Sequence, residues 1–210
     1  MAGLLELDVR LFRAINSISN PVTDWVMYLV SLVGEMAIII WIICLIAAII
    51  DRNKGLHALI ACIVGIFFSD HIVGHSLKWL CPRLRPHQYL DGVRVLGHKW
   101  TNGSFPSGHA DSILAGAVIL SYFYPRMALP LYLFSALTCF SRVYNGMHHP
   151  LDVCAGALTG IVSGYAIIAL YRWKIEKPRS AGLRRDSFPE EGRSRDNSVN
   201  PAETREEAPQ

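Results

Sequence analysis

Residues 35–50 read EMAIIIWIICLIAAII, carry no charge from Met36 to Ile50, and stop at the charged turn DRNKG over residues 51–55. An uninterrupted apolar run of that length suits a helix surrounded by hydrocarbon, not one half-exposed on a globule. Four more runs follow, over residues 56–80, 112–124, 128–140 and 153–173. Several approach the ~20 residues that a helix needs to cross ~30 Å of lipid core. The runs at 112–124 and 128–140 reach that length only with their polar ends included. A shorter stretch, residues 22–33 with Asp24 inside it, is either a first crossing or an interfacial helix, and Pro21 after Asn20 suits a helix start. The pattern predicts an all-α fold, a multi-pass transmembrane helical bundle with five or six crossings.

The composition agrees. The 210 residues are 51% hydrophobic and only 18% charged, with a mean hydropathy of +0.28, whereas a soluble domain carries about 25% charged residues. An ordinary soluble globule and a wholly disordered chain are both excluded. The formal net charge of +3 is too small to argue for nucleic acid. Five cysteines (Cys44, Cys62, Cys81, Cys139, Cys154) show no C-x-x-C spacing, and four sit in apolar runs, so buried apolar cysteine is expected rather than a disulfide framework or a zinc site. The opening MAGLLELDVRLFR is amphipathic and acidic enough that a cleaved signal peptide is not expected. From about residue 176 the chain is rich in Arg, Ser, Pro, Glu and Gly, the composition of a disordered tail. The expected layout is an amphipathic N-terminal segment (1–20), a membrane domain (21–175) and a tail (176–210).

Basic residues of the short loops set the orientation. Arg52 and Lys54, Arg126, and the group Arg172, Lys174, Lys177 and Arg179 fall on one side if every run crosses, and that side is expected to be cytoplasmic, with the tail. Residues 78–105 and 142–150 then face outward. They too are cationic, with Lys78, Arg83, Arg85, Arg94, Lys99 and Arg142. Cations on the disfavoured side need another reason to be there.

Three polar constellations lie at those outward ends. The first runs from Lys78 to Arg85-Pro86: it is either an anion clamp, with Arg presenting a planar fork and Lys a point charge to phosphate oxygens, or a basic cluster snorkelling to headgroups. The second is Ser104-Phe-Pro106-Ser107-Gly108-His109-Ala-Asp111, just before the third long run. A helix start offers free N–H groups and partial positive charge to a phosphate, and a histidine in its first turn can pass a proton near neutral pH. An ordinary Ser107 cap would explain the serine but not the Gly and His beside it. The third is Ser141-Arg142-Val-Tyr-Asn-Gly-Met-His148-His149-Pro150-Leu-Asp152. His148 and Asp152 are four residues apart and meet if the local backbone is helical; a carboxylate that holds one ring nitrogen leaves the other as base or nucleophile. The plainer reading is that Asp152 caps a helix. An ionisable pair entering lipid is costly and marks a functional site by default. Asp70, His71 and His75, by contrast, read as pocket lining rather than a metal pair, since no third ligand has fitting spacing.

With those residues in order, the chain resembles the type 2 phosphatidic acid phosphatase superfamily of integral membrane lipid phosphatases. The resemblance rests on Lys78, six residues, then Arg85-Pro86; on Pro106-Ser107-Gly108-His109; and on Ser141-Arg142, five residues, His148, three residues, Asp152. It covers residues 20–173 and leaves out the tail. It implies a phosphohistidine mechanism without metal or other cofactor: His148 as nucleophile, Asp152 orienting it, and His109 as proton donor and later as base. Lys78, Arg85, Ser107, Gly108 and Arg142 would hold the non-reacting oxygens. The implied partner is a membrane lipid phosphate, and the implied location is the cell inner membrane with the site facing outward. Compact size, the segment 11–17 and the Ser31 to Glu35 pattern are similar to bacterial enzymes that act on undecaprenyl diphosphate. Phosphatidylglycerophosphate, phosphatidate and lipid A phosphatases share the core, as would a lipid phosphotransferase. A lipid or phosphate transporter would use the cations but has no need of the two histidines and the aspartate.

Overall fold

The computed structural model describes residues 2–35 and 38–176; the tail predicted to be disordered lies outside them except for Glu176. Every regular element among the described residues is a helix: α1 (Ala2–Asn16), α2 (Pro21–Glu35), α3 (Ile38–Ile50), α4 (Arg52–Phe67), α5 (His75–Leu80), α6 (Pro86–Tyr89), α7 (Gly108–Phe123), α8 (Ala128–Tyr144) and α9 (Pro150–Tyr171). A wide π-helical turn, Phe68–Gly74, joins α4 to α5, and a 3₁₀ turn, Pro125–Met127, leads into α8. The all-helical architecture is as the apolar runs predicted.

Local chemistry sets the boundaries. Asn20 Oδ1 accepts from the Val22 amide at 2.9 Å, so α2 begins at Pro21, where the missing N–H costs nothing. Asp51 Oδ1 takes the Lys54 amide at 3.1 Å and starts α4. Three stretches are long and apolar enough to cross a membrane: Arg52–Leu80, Pro125–Tyr144 and Pro150–Glu176; Pro21–Val33 is a shorter apolar helix. α7 has 16 residues and so spans about 24 Å at 1.5 Å per residue, slightly less than the hydrocarbon thickness. Its near-complete burial offsets that shortfall, since it packs against α9, α4 and α8 and shows lipid little of itself. The flanking helices carry the outward apolar surface, with Leu45, Ile49, Leu129, Leu133, Leu158 and Val162 all exposed. An apolar surface of that extent suits contact with lipid.

The contact of α7 with α9 positions the site. Gly156, Gly160 and Gly164 form a stripe at four-residue spacing on α9. A Cβ at Gly156 would lie 2.3 Å from the Ser107 carbonyl oxygen, and one at Gly160 2.2 Å from that of Asp111. Small residues therefore let two backbones touch, as in membrane helix pairs generally. The same contact sets the start of α7 beside the start of α9, where the Ser107 amide donates to the Asp152 carbonyl at 2.9 Å. Beneath it, Ser69 Oγ and Thr159 Oγ1 both donate to Asp111 Oδ1, at 2.6 and 2.7 Å, tying the π turn to α7 and α9.

Candidate active site

α8 ends in a turn that brings the third constellation back on itself. The amides of Met147 and His148 reach the Arg142 carbonyl at 3.1 and 3.3 Å, and Gly146 adopts φ +75°. A side chain at Gly146 would be strained, and its Cβ would sit 2.4 Å from the Arg94 carbonyl oxygen. His148 then emerges between α8 and α9, fully buried. Its Nδ1 faces the Ser104 carbonyl at 2.8 Å, a bond that requires the proton on Nδ1. Nε2 is left with a lone pair, and Arg85 Nη1 approaches it at 3.1 Å. Burial is the largest influence on the ring and pulls its pKa from 6.5 to about 4; Asp152 opposes this, while Arg85 and Arg142 add to it. His148 is therefore neutral at pH 7, with Nε2 available.

The expected His148–Asp152 contact takes a different form. Asp152 Oδ2 lies 3.9 Å from His148 Nδ1, because the Ser104 carbonyl already holds that nitrogen. The carboxylate instead gathers four donors: Ser104 Oγ at 2.6 Å, the His149 amide at 2.9 Å, His149 Nδ1 at 3.3 Å and Arg83 Nη1 at 2.7 Å. It thus caps α9, as the plainer reading held, and reaches His148 through the serine that also supplies the orienting carbonyl. His149, expected to serve local hydrogen bonding, does so, with Nε2 also bonded to Tyr89 Oη at 2.8 Å.

A cavity of about 580 Å³ opens in front of His148 and is also lined by His109, Gly108, Lys78 and Arg85, with Asp70, His75, Asn102, Trp79 and Trp100 around them. The first-turn amides of α7 have no intrahelical acceptor. Arg85 is held by the Asn102 carbonyl and Oδ1, at 3.0 and 2.7 Å, and by the Met147 carbonyl at 3.1 Å. Burial lowers its pKa to about 10, which still leaves it charged. Five predicted residues, His148, His109, Lys78, Arg85 and Gly108, are thus brought to one cavity. Ser107, Arg142 and Asp152 are buried and do not line it. Ser107 Oγ makes no cap bond, so the cap reading of that serine fails. Arg142 donates to Ser31 Oγ on α2. Gly108 has a reason beyond phosphate: a Cβ there would lie 2.7 Å from Asp70 Oδ1.

Sequence reasoning assigned no role to Arg83 or Asp8, nor to the Ser104 carbonyl. Arg83 alone carried a signal, as a cation on the disfavoured side of the membrane. His75 lines the cavity as expected, while His71 stacks between Phe67 and His75. Among the described residues no group of three or more His, Cys, Asp or Glu is placed to hold a metal ion.

Comparison with known proteins places this geometry in context. The family model for the PAP2 superfamily matches residues 54–176. An undecaprenyl-diphosphatase of Sulfolobus acidocaldarius is 32% identical over 158 residues, 74% of this chain and 74% of that protein. A lipid A 4'-phosphatase of Porphyromonas gingivalis is 25% identical over 81% of this chain and 75% of its own length. Among solved structures, Aquifex aeolicus LpxE superposes with a TM-score of 0.68 at 28% identity, over 78% of this chain and 95% of that one.

Proposed function

The chain belongs to the PAP2 superfamily and is a membrane phosphatase, and from that premise we propose that it hydrolyses a lipid phosphate or diphosphate through a phosphohistidine on His148. The substrate we assign is undecaprenyl diphosphate, cleaved to undecaprenyl phosphate and inorganic phosphate. The relatives support that choice, together with a catalytic cavity at the ends of apolar helices, where a headgroup sits while its chains stay in the bilayer.

The observation that carries the mechanism is the commitment of His148 Nδ1 to the Ser104 carbonyl, which leaves Nε2 as a neutral nucleophile inside a cationic cavity. An incoming phosphate takes the Arg85 fork for its own oxygens and so releases the Nε2 lone pair. Nε2 attacks phosphorus in line; the N–P bond forms and the bond to the leaving oxygen breaks. His109 gives a proton to that oxygen. In the second half His109 takes a proton from water, the hydroxide attacks phosphorus, the N–P bond breaks, and phosphate leaves. Lys78, Arg85 and the Gly108 and His109 amides neutralise the equatorial oxygens, the main requirement of phosphoryl transfer. Ser107, Arg142 and Asp152 act from behind this surface, Asp152 by holding Ser104 and His149. The site faces outward and the tail is cytoplasmic.

The test is phosphate release by purified protein in detergent, with EDTA, from undecaprenyl diphosphate, a lipid A phosphate, phosphatidylglycerophosphate and phosphatidate. Undecaprenyl diphosphate should give the highest kcat/KM, and His148→Ala should lose at least about 10³-fold in kcat. A normal rate in that variant refutes the nucleophile. Labelled phosphate appearing on an added acceptor lipid instead of in water would identify a transferase. A cysteine placed at Asp91, exposed in the loop between α6 and α7, and labelled only from the cytoplasmic side would overturn the orientation.

A further inference from the structure

Three successive turns of α1 present one face to the site. Asp8, Phe12 and Asn16 are each buried, while Leu4, Leu7 and Leu11 remain exposed on the other face. Asn16 bonds the carbonyls of Arg94 and Tyr144, at 2.8 and 2.9 Å. Phe12 packs on the His149 ring with centroids 5.5 Å apart. Asp8 Oδ1 accepts the Leu151 amide at 2.8 Å in the first turn of α9, and its Oδ2 takes Arg83 Nη2 at 2.5 Å. The other arm of the same guanidinium, Nη1, holds Asp152 Oδ1 at 2.7 Å.

A guanidinium shared by two buried carboxylates, one of which supports the nucleophile, is an expensive arrangement. Removing Arg83 leaves two buried carboxylates uncompensated, whereas removing either carboxylate leaves a one-to-one ion pair. A purely structural link between α1 and α9 needs none of it, since Phe12 and Asn16 already dock the helix. We infer that Arg83, held by Asp8 of the N-terminal helix, is a positioning residue for catalysis: it fixes Asp152, and through Ser104 and His149 the orientation and charge environment of His148. The inference rests on the phosphohistidine reading above. Arg83 touches neither the reacting atoms nor the cavity wall; it acts through Asp152.

The charge logic separates this from simple bracing. The groups facing His148 are Arg85 from the loop before α6, Arg142 from α8, His109 from α7, Lys78 from α5, and Asp152 with His149 at the start of α9. Arg83 neutralises Asp152, and Asp8 in turn draws on Arg83. Loss of the Arg83 charge frees the Asp152 carboxylate to stabilise a protonated His148, so the acid limb of kcat/KM moves toward neutral pH. Loss of the Asp8 charge leaves Arg83 to Asp152 alone, and the limb does not rise. Two variants at the ends of one hydrogen-bonded chain thus act in different directions on pH dependence while both lower kcat.

The experiment uses the full-length protein in detergent and the panel substrate with the highest kcat/KM, with His148→Ala as a parallel control. Arg83→Gln should lower kcat about 30- to 100-fold with KM changed less than about threefold, and raise the acid limb by a pH unit or more. Asp8→Asn should lower kcat about tenfold without raising the limb. Arg83→Lys should return the limb toward wild type while recovering only part of kcat, since a point charge cannot hold both carboxylates as a fork does. The double variant should lose no more than Arg83→Gln alone, because both changes break one chain. The inference is overturned if Arg83→Gln keeps kcat within threefold, if both single variants move the limb the same way, if the loss lies only in KM, or if the double variant's losses multiply. Full activity in His148→Ala is a different outcome: it removes the phosphohistidine reading, and this inference with it. Size-exclusion profiles and melting curves in detergent identify any variant that has failed to fold, and the Arg83→Lys pH profile then serves as the deciding measurement.

Discussion

The two walls of the cavity are built differently. The corner is buried from Ser141 to His149 and again at Asp152, and His148, His149 and Asp152 each bond neighbours distant in sequence. The opposite wall, from Asp70 through Lys78 and Trp79, is partly open: Trp79 is 83% exposed, and Lys78 sits at the end of a short helix hung from a π turn. One wall holds an imidazole in a single tautomer and direction. The other carries longer, looser side chains. Groups that must act on a developing charge gain from being fixed in advance, while groups that admit a lipid of variable shape gain from freedom. The corner should therefore govern kcat, and the open wall KM and choice of substrate.

That contrast is open to direct attack. Asp152→Asn should have the largest effect, about 10²-fold in kcat with little change in KM, because an amide cannot accept all four donors now gathered on the carboxylate. Steady-state kinetics check it, and a loss confined to KM would erase the difference between the walls. Trp79→Ala, on the open wall, should do the reverse, raising KM about tenfold while kcat stays within about threefold. Gly156→Ala tests what holds the corner against α7. Its new Cβ, 2.3 Å from the Ser107 carbonyl oxygen, must push two backbones apart at a cost of about 1–3 kcal/mol, seen as a lower melting midpoint in detergent. The smallest effect is expected in the acid limb of the wild-type protein. His148 acts as the neutral ring and its pKa is depressed to about 4, so its contribution to kcat/KM should stay flat from pH 7 and fall only through pH 4. Stability carries the same sign: the unfolded ring binds its proton near 6.5 and the folded one only near 4, so His148 weakens the fold as pH drops across that window. An acid limb near 6.5 would show that burial does not depress the His148 ring and would overturn that assignment.

Much of the site was legible because it is written in contiguous words. Lys78 to Arg85, Ser107-Gly108-His109 and Arg142 to His148 each lie at one helix end, and periodic apolar runs dictate which ends share a face. The exact partners were not legible. Ser104 meets His148 across 44 residues and does so with a backbone carbonyl, a group every residue owns, so no side-chain pattern announces it. Arg83 reaches Asp152 across 69 residues and Asp8 across 75. Arg142 and Ser107, expected as direct phosphate ligands, are buried and do not line the cavity, a distinction of depth that spacing along a chain does not encode.

Hydrophobic periodicity and helix-end chemistry are properties of short segments, and from them alone follow the helical membrane bundle, the polar clusters at its helix ends and the two candidate histidines. Which atom orients His148, and that an N-terminal helix reaches Asp152 through Arg83, depend on how α1, α7 and α9 pack. That packing is decided by close approach at Gly156 and Gly160 and by pairing of buried charges. Such terms arise only when distant segments are brought within a few ångströms of each other.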